Sequence, residues 1–260
     1  MSPVDHQERA NTRMWQSRGL VRQYATTRLA DSEKAVLDRF RADFAGSVLE
    51  IGCGAGRVTG HTAAISADVH AVDISPDMLA VARPRYPGVR FDVGDLRDLS
   101  SFPDGDADVV AMWCNVVDIL GHGERMTALA EVARILRPAG LLVLDTHNLA
   151  SASRRRRPTD LPHESARQFV RSAIGLPVTL YNHRRLSRRE LAGEGFAILN
   201  DEAHRFRALH YYVDRAEQER QLAAAGFDVV EIVDVEGAAL GPGDDAPVSA
   251  SLKYVARRRT

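Results

Sequence analysis

The stretch Glu50-Ile51-Gly52-Cys53-Gly54-Ala55-Gly56 restricts what this chain can fold into more than any other seven residues. It continues the short apolar run Ser47-Val48-Leu49-Glu50-Ile51, and a helix can follow over residues 57–65. Where a strand turns through glycines into a helix, backbone passes close to a ligand and the helix N-terminus favours electron-rich groups. The plain alternative is a tight turn with no ligand. Spacing narrows the choice: a dinucleotide site wants G-x-G-x-x-G, whereas the glycines here fall at 52, 54 and 56, with Arg57 in the last position of that pattern. The mismatch counts against a nicotinamide-dependent oxidoreductase, which stays as an alternative.

Around this turn the hydrophobic period switches repeatedly. Residues 69–72 read as a second strand closed by Asp73, and Ser75-Pro76-Asp77 opens a helix with proline suited to its first turn. Residues 89–93 and 107–113 read as further strands. A helix over 124–136 then leads through Arg137-Pro138-Ala139-Gly140 into Leu141-Leu142-Val143-Leu144-Asp145. Strands alternating with helices predict a doubly wound α/β sheet. The alternation stops after Leu149. Val178-Thr179-Leu180-Tyr181 and Phe196-Ala197-Ile198-Leu199 read as antiparallel strands, so 150–212 is expected to form a β-rich cover inserted over the sheet. A helix over 215–225 ends at Gly226, and residues 227–233 and 251–256 supply the last strands. Upstream, 1–13 is a polar tail, while Trp15, Leu20, Val21, Tyr24, Leu29, Val36, Leu37 and Phe40 recur at mostly helical spacing. The expected organisation is a tail and helical lid over 1–44, a core over 45–149, the cover over 150–212, and the rest of the core over 213–260.

With 34 basic and 35 acidic residues the formal charge is −1, which does not suit a polyanion partner. Cys53 and Cys114, the two cysteines, read as free thiols of a reducing compartment. No apolar run approaches the ~20 residues that span a bilayer, and the first residues lack a signal-peptide apolar stretch. A cytoplasmic monomer or homodimer without a membrane partner is expected.

Val48-Leu49-Glu50-Ile51-Gly52-Cys53-Gly54-Ala55-Gly56-Arg57 resembles the first motif of the class I S-adenosylmethionine (SAM) dependent methyltransferases. The resemblance follows the family's motif order over nearly the whole chain. It implies a Rossmann-like seven-stranded sheet with the last strand antiparallel, and SAM as cofactor. Asp73 matches the acidic residue that holds the ribose hydroxyls, with Ile74 beside it; a carboxylate can accept two hydrogen bonds from a diol. Asp95 in Gly94-Asp95-Leu96 matches the acceptor of the adenine amino group, and Leu96 flanks the ring. Glu50, Gly52, Cys53, Gly54 and Gly56 complete the expected cofactor site. Any single carboxylate among these could be a solvated turn residue, but the matches stand in the family's order. Ala139-Gly140 departs from the family's usual Gly-Gly at a structural turn.

Ligands of open α/β sheets bind beyond the carboxyl ends of the strands. There the chain carries Trp113-Cys114-Asn115 and Asp145-Thr146-His147-Asn148. An Asn after strand four with a His-Asn after strand five is similar to a bacterial small-molecule methyltransferase group, which also tends to have the sequence around Gly121-His122-Gly123-Glu124-Arg125. Asn115 is placed at the cofactor site on that basis. His147 is the candidate base for an acceptor hydroxyl or amine, its unperturbed pKa lying near 6.5; the alternative is that it only orients substrate. Tyr24 and Arg28 share one face of the leading helix, and the resemblance suggests a lid with Arg28 toward the SAM carboxylate. Tyr211, with Tyr212 beside it, is a candidate for the acceptor side; packing against the sheet is the alternative. Ten arginines between 154 and 189 face only Asp160 and Glu164. Such a run is usually a solvated loop, though it could attract an acidic acceptor. Few aromatics interleave with it, and Trp113-Cys114-Asn115-Val116 lacks the Asn/Asp-Pro-Pro-aromatic pattern of base-amine methyltransferases. The expected reaction is methyl transfer to N, O or C of a small molecule, with specialised metabolism as a setting and an RNA substrate as the lesser alternative.

Overall fold

A computed structural model of the protein describes residues 28–151, 157–160 and 165–260. Its centre is the predicted α/β sheet. Strand β1 (Val48–Ile51) is buried along its whole length, as a parallel strand covered on both faces must be. It pairs in parallel with β2 (Val69–Asp73) and β4 (Ala107–Met112), while β3 (Arg90–Val93) continues beyond β2. On the other side β4 pairs in parallel with the long β5 (Leu136–Asn148). The C-terminal β10 (Ser251–Arg258) runs antiparallel to β5 and to β9 (Phe227–Val233). The order β3-β2-β1-β4-β5-β10-β9 is the expected seven-stranded sheet with its last strand reversed.

Strand alternation sorts the core into two layers. Val110, Met112, Leu142 and Leu144 pack on one face with Leu129, Val132 and Ile135. Val109, Ala111, Trp113, Leu141 and Val143 pack on the other with Val36, Leu37 and Phe44. The first layer is closed by α4 (His122–Ile135), whose first turn is tied by Glu124 to the Gly121 amide (3.3 Å). The second is closed by α1 (Asp31–Arg39), tied in the same way by Glu33 to the Ala30 amide (2.8 Å). Helix α3 (Pro76–Ala82) starts as its sequence dictates, with Ser75 accepting from the Met78 amide and Pro76 in the first turn. Asp214 caps α6 (Arg215–Ala224) through the Glu217 amide (2.8 Å). The helix after the glycine turn, α2 (Thr59–Thr62), is shorter than the 57–65 expected.

The larger difference lies after β5. Residues 178–181, expected as a strand, sit inside the 21-residue helix α5 (Ala166–Leu186). A short run rich in β-branched residues cannot by itself separate strand from helix. Over the full length the helical period wins, with Gly175 and Leu186 turned inward and Val170, Ile174, Val178 and Tyr181 left exposed. Residues 196–199 do form a strand, β7 (Phe196–Leu199), between a two-residue β6 (Leu191–Ala192) and β8 (His210–Val213). These three extend the sheet to ten strands, because β8 pairs in parallel with the end of β5. Strand β4 stops at Met112 opposite Leu144, and three residues later His147 finds Tyr212 on the edge that β4 has vacated. No helix among the described residues is long and apolar enough to cross a membrane.

Candidate active site

At the carboxyl ends of β1, β2 and β4 lies a cavity of about 940 Å³ including its open mouth, lined by Glu50, Gly52, Gly54, Asp73, Asp95 and Trp113 among others. Its floor is the glycine turn. The amides of Gly52 and Cys53 both donate to the Val72 carbonyl (2.8 and 3.1 Å), which clamps the turn to β2. Gly52 has φ +73°, and a Cβ there would meet Val116 at 2.4 Å. Gly54 (φ +55°) instead faces open space, with nothing within 4 Å of where a Cβ would stand. Backbone at Gly54 is thus bare toward the cavity.

Asp73 ends β2 with both carboxylate oxygens anchored: Oδ2 accepts from the Gly54 amide (2.7 Å) and Oδ1 from the Ser75 amide (2.8 Å). Each oxygen keeps a lone pair for a further donor. Burial raises the Asp73 pKa against these two bonds. Glu50 is fully buried, and burial pushes it up to about 8 despite the Thr59 hydroxyl and the Arg57 guanidinium; its Oε2 has no hydrogen-bond partner. Burial also pushes the Cys53 thiol up, so it stays protonated. Asp95 lines the cavity but is gripped by Arg97, whose Nε reaches both oxygens (2.9 and 3.1 Å) and holds its pKa down against burial. Ile74 and Leu96 supply apolar walls.

The turn after β4 is unusual. Cys114 and Asn115 both have positive φ (58° and 57°), a conformation that costs a residue with a Cβ of order 1–3 kcal/mol. The Cys114 amide is held by Asp145 (2.8 Å), which pairs with Lys253, and that ammonium stands 5.0 Å from the Trp113 ring centre. Arg57 bridges this turn to α1, contacting Glu33 and the Cys114 sulfur.

The second centre lies beside the first. His147 Nδ1 donates to Asp118 Oδ2 (2.6 Å), and the Asn115 amide donates to His147 Nε2 (3.1 Å). This pattern turns the Nδ1 proton to Asp118 and leaves Nε2 as the accepting nitrogen. Asp118 is buried, yet stays below the usual carboxylate range because Arg125 and His147 outweigh desolvation. Arg125 is fully buried among Asp118, Thr146, Gln218 and Gln221. Beyond His147, the His210 ring lies at 5.2 Å and the Tyr212 ring at 4.8 Å. His210 Nδ1 bonds Asp201 Oδ2 (2.7 Å), and the Tyr212 hydroxyl donates to the same oxygen (2.8 Å). The pair settles electrostatically, with Asp201 lowered to about 2 and His210 raised, each by the other's charge against burial.

Of the residues expected at the cofactor site, the cavity gathers Glu50, Gly52, Cys53, Gly54, Asp73, Ile74, Asp95 and Leu96. Gly56 packs instead against Tyr86, where a Cβ would fall 2.7 Å from the ring. Asn115 turns its amide to His147. Arg28 is exposed, and its carbonyl accepts from Arg57 (3.2 Å). Tyr24 lies outside the described residues. Tyr211 takes the packing position: it is fully buried, bonded to His122 (2.7 Å) and Gln221 (2.9 Å), and covered by Arg125 at 4.5 Å. Strand alternation gives the inward place beside His147 to Tyr212. Asp118, Arg125, Asp201 and His210 join the site without being singled out by the sequence. Arg125 and His210 stand in segments that the motifs touch, whereas Asp118 and Asp201 carry no local signal.

Comparison with known proteins agrees with this geometry. A family described as a methyltransferase domain matches residues 48–140. The chain is 32% identical over 114 residues to a dTDP-3-amino-3,6-dideoxy-alpha-D-glucopyranose N,N-dimethyltransferase of Streptomyces fradiae, covering 44% of each protein. It is 34% identical over 119 residues to a ubiquinone biosynthesis O-methyltransferase of Xanthomonas oryzae pv. oryzae, covering 44% of this chain and 48% of that one. The matched part thus spans less than half the length of either relative. Among solved structures, SAM-bound CalS10, an amino pentose methyltransferase from Micromonospora echinaspora, superposes with TM-score 0.55 at 23% identity, over 92% of this chain and 95% of its own. The CcbJ methyltransferase from Streptomyces caelestis gives TM-score 0.57 at 20% identity, over 91% and 92%. Residues 48–140 thus match the methyltransferase-domain family, and the chain as a whole shares the fold of these solved methyltransferases.

Proposed function

We propose that the protein transfers the methyl group of SAM to a nitrogen or oxygen of a small-molecule acceptor. The observation that carries this reading is Asp73, poised at the cavity edge by the Gly54 and Ser75 amides with a lone pair left on each oxygen. The residues fit the cofactor. Asp73 would hold the ribose diol, Ile74 and Leu96 would sandwich the adenine, and Asp95 would accept from its amino group. The bare backbone at Gly54 would carry the methionine part. An ammonium brought beside Glu50 would restore the charge that burial suppresses there.

When bound, SAM supplies an electrophilic methyl on a sulfonium leaving group, so alignment does much of the work. His147 is assigned as the acceptor-side base. Asp118 fixes Nδ1–H, leaving Nε2 to take a proton once Asn115 yields its place. The side chain of His147 is 17% exposed, open enough to meet an acceptor. The relative from Streptomyces fradiae, which by its name dimethylates an amino-sugar nucleotide, favours a sugar amine over RNA as acceptor.

Equilibrium dialysis with radiolabelled SAM and with NAD tests the cofactor. We expect SAM to bind, and Asp73→Ala to weaken it more than tenfold, at least ~1.4 kcal/mol. Binding of NAD in place of SAM would end this reading, and unchanged affinity in the variant would remove Asp73 from the ribose role.

A further inference from the structure

We infer that His147, Asp201 and His210 form a binding site for one divalent transition-metal ion, distinct from the cofactor cavity. One ligand atom from each of the three lies within 4.8 Å of the others. Two imidazoles and a carboxylate are the donor set that borderline ions such as Zn²⁺, Co²⁺, Ni²⁺ or Fe²⁺ prefer. Donors around a tetrahedral ion stand about 3.3 Å apart, given bonds near 2.0–2.1 Å. The trio is therefore slightly open, and small ring rotations would close it.

The surroundings are those a metal site needs. With Nδ1 committed to Asp118 at 2.6 Å, His147 is left with Nε2 as its ligating nitrogen. A carboxylate behind a ligating imidazole fixes ring and tautomer and raises its basicity. Asp118 is itself immobilised by Arg125 and by the Thr146 hydroxyl (2.6 and 2.7 Å). On the other side, the Tyr212 hydroxyl orients Asp201 (2.8 Å). Asp201 and His210 are 7% and 4% exposed, so neither is a casual surface group. His147 keeps some exposure, which leaves a coordination position open to water or a ligand. Next to it, Asn115 Oδ1 is buried without a hydrogen-bond partner, an unused oxygen donor on the residue already touching His147 Nε2. Two carboxylates, Asp118 and Asp201, face the guanidinium of Arg125 and the His210 ring, and an incoming dication would take the place of the proton that His210 shares with Asp201. An ion here would use the same Nε2 lone pair that the proposed base needs, so metal loading and proton abstraction at His147 would exclude one another.

The probe is cobalt(II), whose visible absorption reports geometry. Full-length protein freed of metal with EDTA is titrated with Co²⁺, and Zn²⁺ is then added as competitor. We expect one equivalent to bind with a dissociation constant below about 10 μM, with the d–d bands of a four- or five-coordinate ion, and Zn²⁺ to displace it. His210→Gln preserves a donor to Asp201 and much of the ring's volume; His147→Ala removes a partly exposed ligand. Each is expected to weaken Co²⁺ at least thirtyfold while circular dichroism stays native. Absence of binding at 100 μM Co²⁺ would overturn the site. So would an octahedral spectrum, or an affinity unchanged in both variants.

Discussion

Asp118 takes up four donors with two oxygens: Arg125 and the Thr146 hydroxyl on Oδ1, the His147 amide and ring on Oδ2. A buried carboxylate so paired keeps its charge, and here that charge sets which nitrogen of His147 carries the proton. The guanidinium of Arg125 supplies the counter-charge, and His147 is left with Nε2 to face an acceptor. Loss of a positioned base typically costs 10²–10⁴ in rate. We predict that His147→Ala lowers methyl transfer to dTDP-amino-sugar probes by at least a hundredfold, measured as S-adenosylhomocysteine release, while the SAM dissociation constant moves less than twofold. Wild-type turnover would take His147 out of the mechanism.

Among the elements, the first residues of β5 carry a correctable strain. Ala139 sits at φ +62°, and a Cβ at the following Gly140 would lie 2.8 Å from the Arg137 carbonyl oxygen. Glycine is therefore required at 140 and merely preferred at 139. Left-handed backbone costs an alanine roughly 1–2 kcal/mol, and glycine's greater unfolded-state freedom returns about 0.5–1. Ala139→Gly is expected to stabilise the protein by about 0.5–1 kcal/mol in urea denaturation, with no change in SAM affinity; destabilisation would show the turn to be unstrained. The same scale shows what the sequence makes legible. The turn from Glu50 to Gly56 and the acidic ends of β2 and β3 are readable because each is local: a strand end, a glycine spacing and a carboxylate within a few residues. Asp201 and His210 are not, since only the β7–β8 hairpin, with Leu199 opposite His210, brings them together. Helix α5 escapes a sequence reading because the four residues 178–181, two of them β-branched, carry too little period to separate helix from strand. Tyr211 and Tyr212 stand out as a pair, but which one turns inward depends on a register fixed by β5 and β7.

For the molecule as a whole, Glu50 links cofactor binding to stability. Its pKa is raised from 4.5 to about 8 by burial. Below 4.5 both folded and unfolded chains hold the proton; above it the unfolded chain ionises while the folded one must keep its proton. The contribution is therefore full at low pH and is lost as pH rises toward 8, at up to ~1.4 kcal/mol per unit. Without added SAM, Glu50→Gln should gain stability relative to wild type steadily between about pH 5 and 8, read from urea midpoints. Parallel curves for the two proteins would show that Glu50 is not a buried acid. One further consequence follows from the length of β5. At His147 that strand is paired at once with Ser251 of β10 and with Tyr212 of β8. Its backbone is riveted between the central sheet and the added hairpin. On the proposed role of His147, the loops around it can change length and sequence while both neighbouring strands keep its backbone in place.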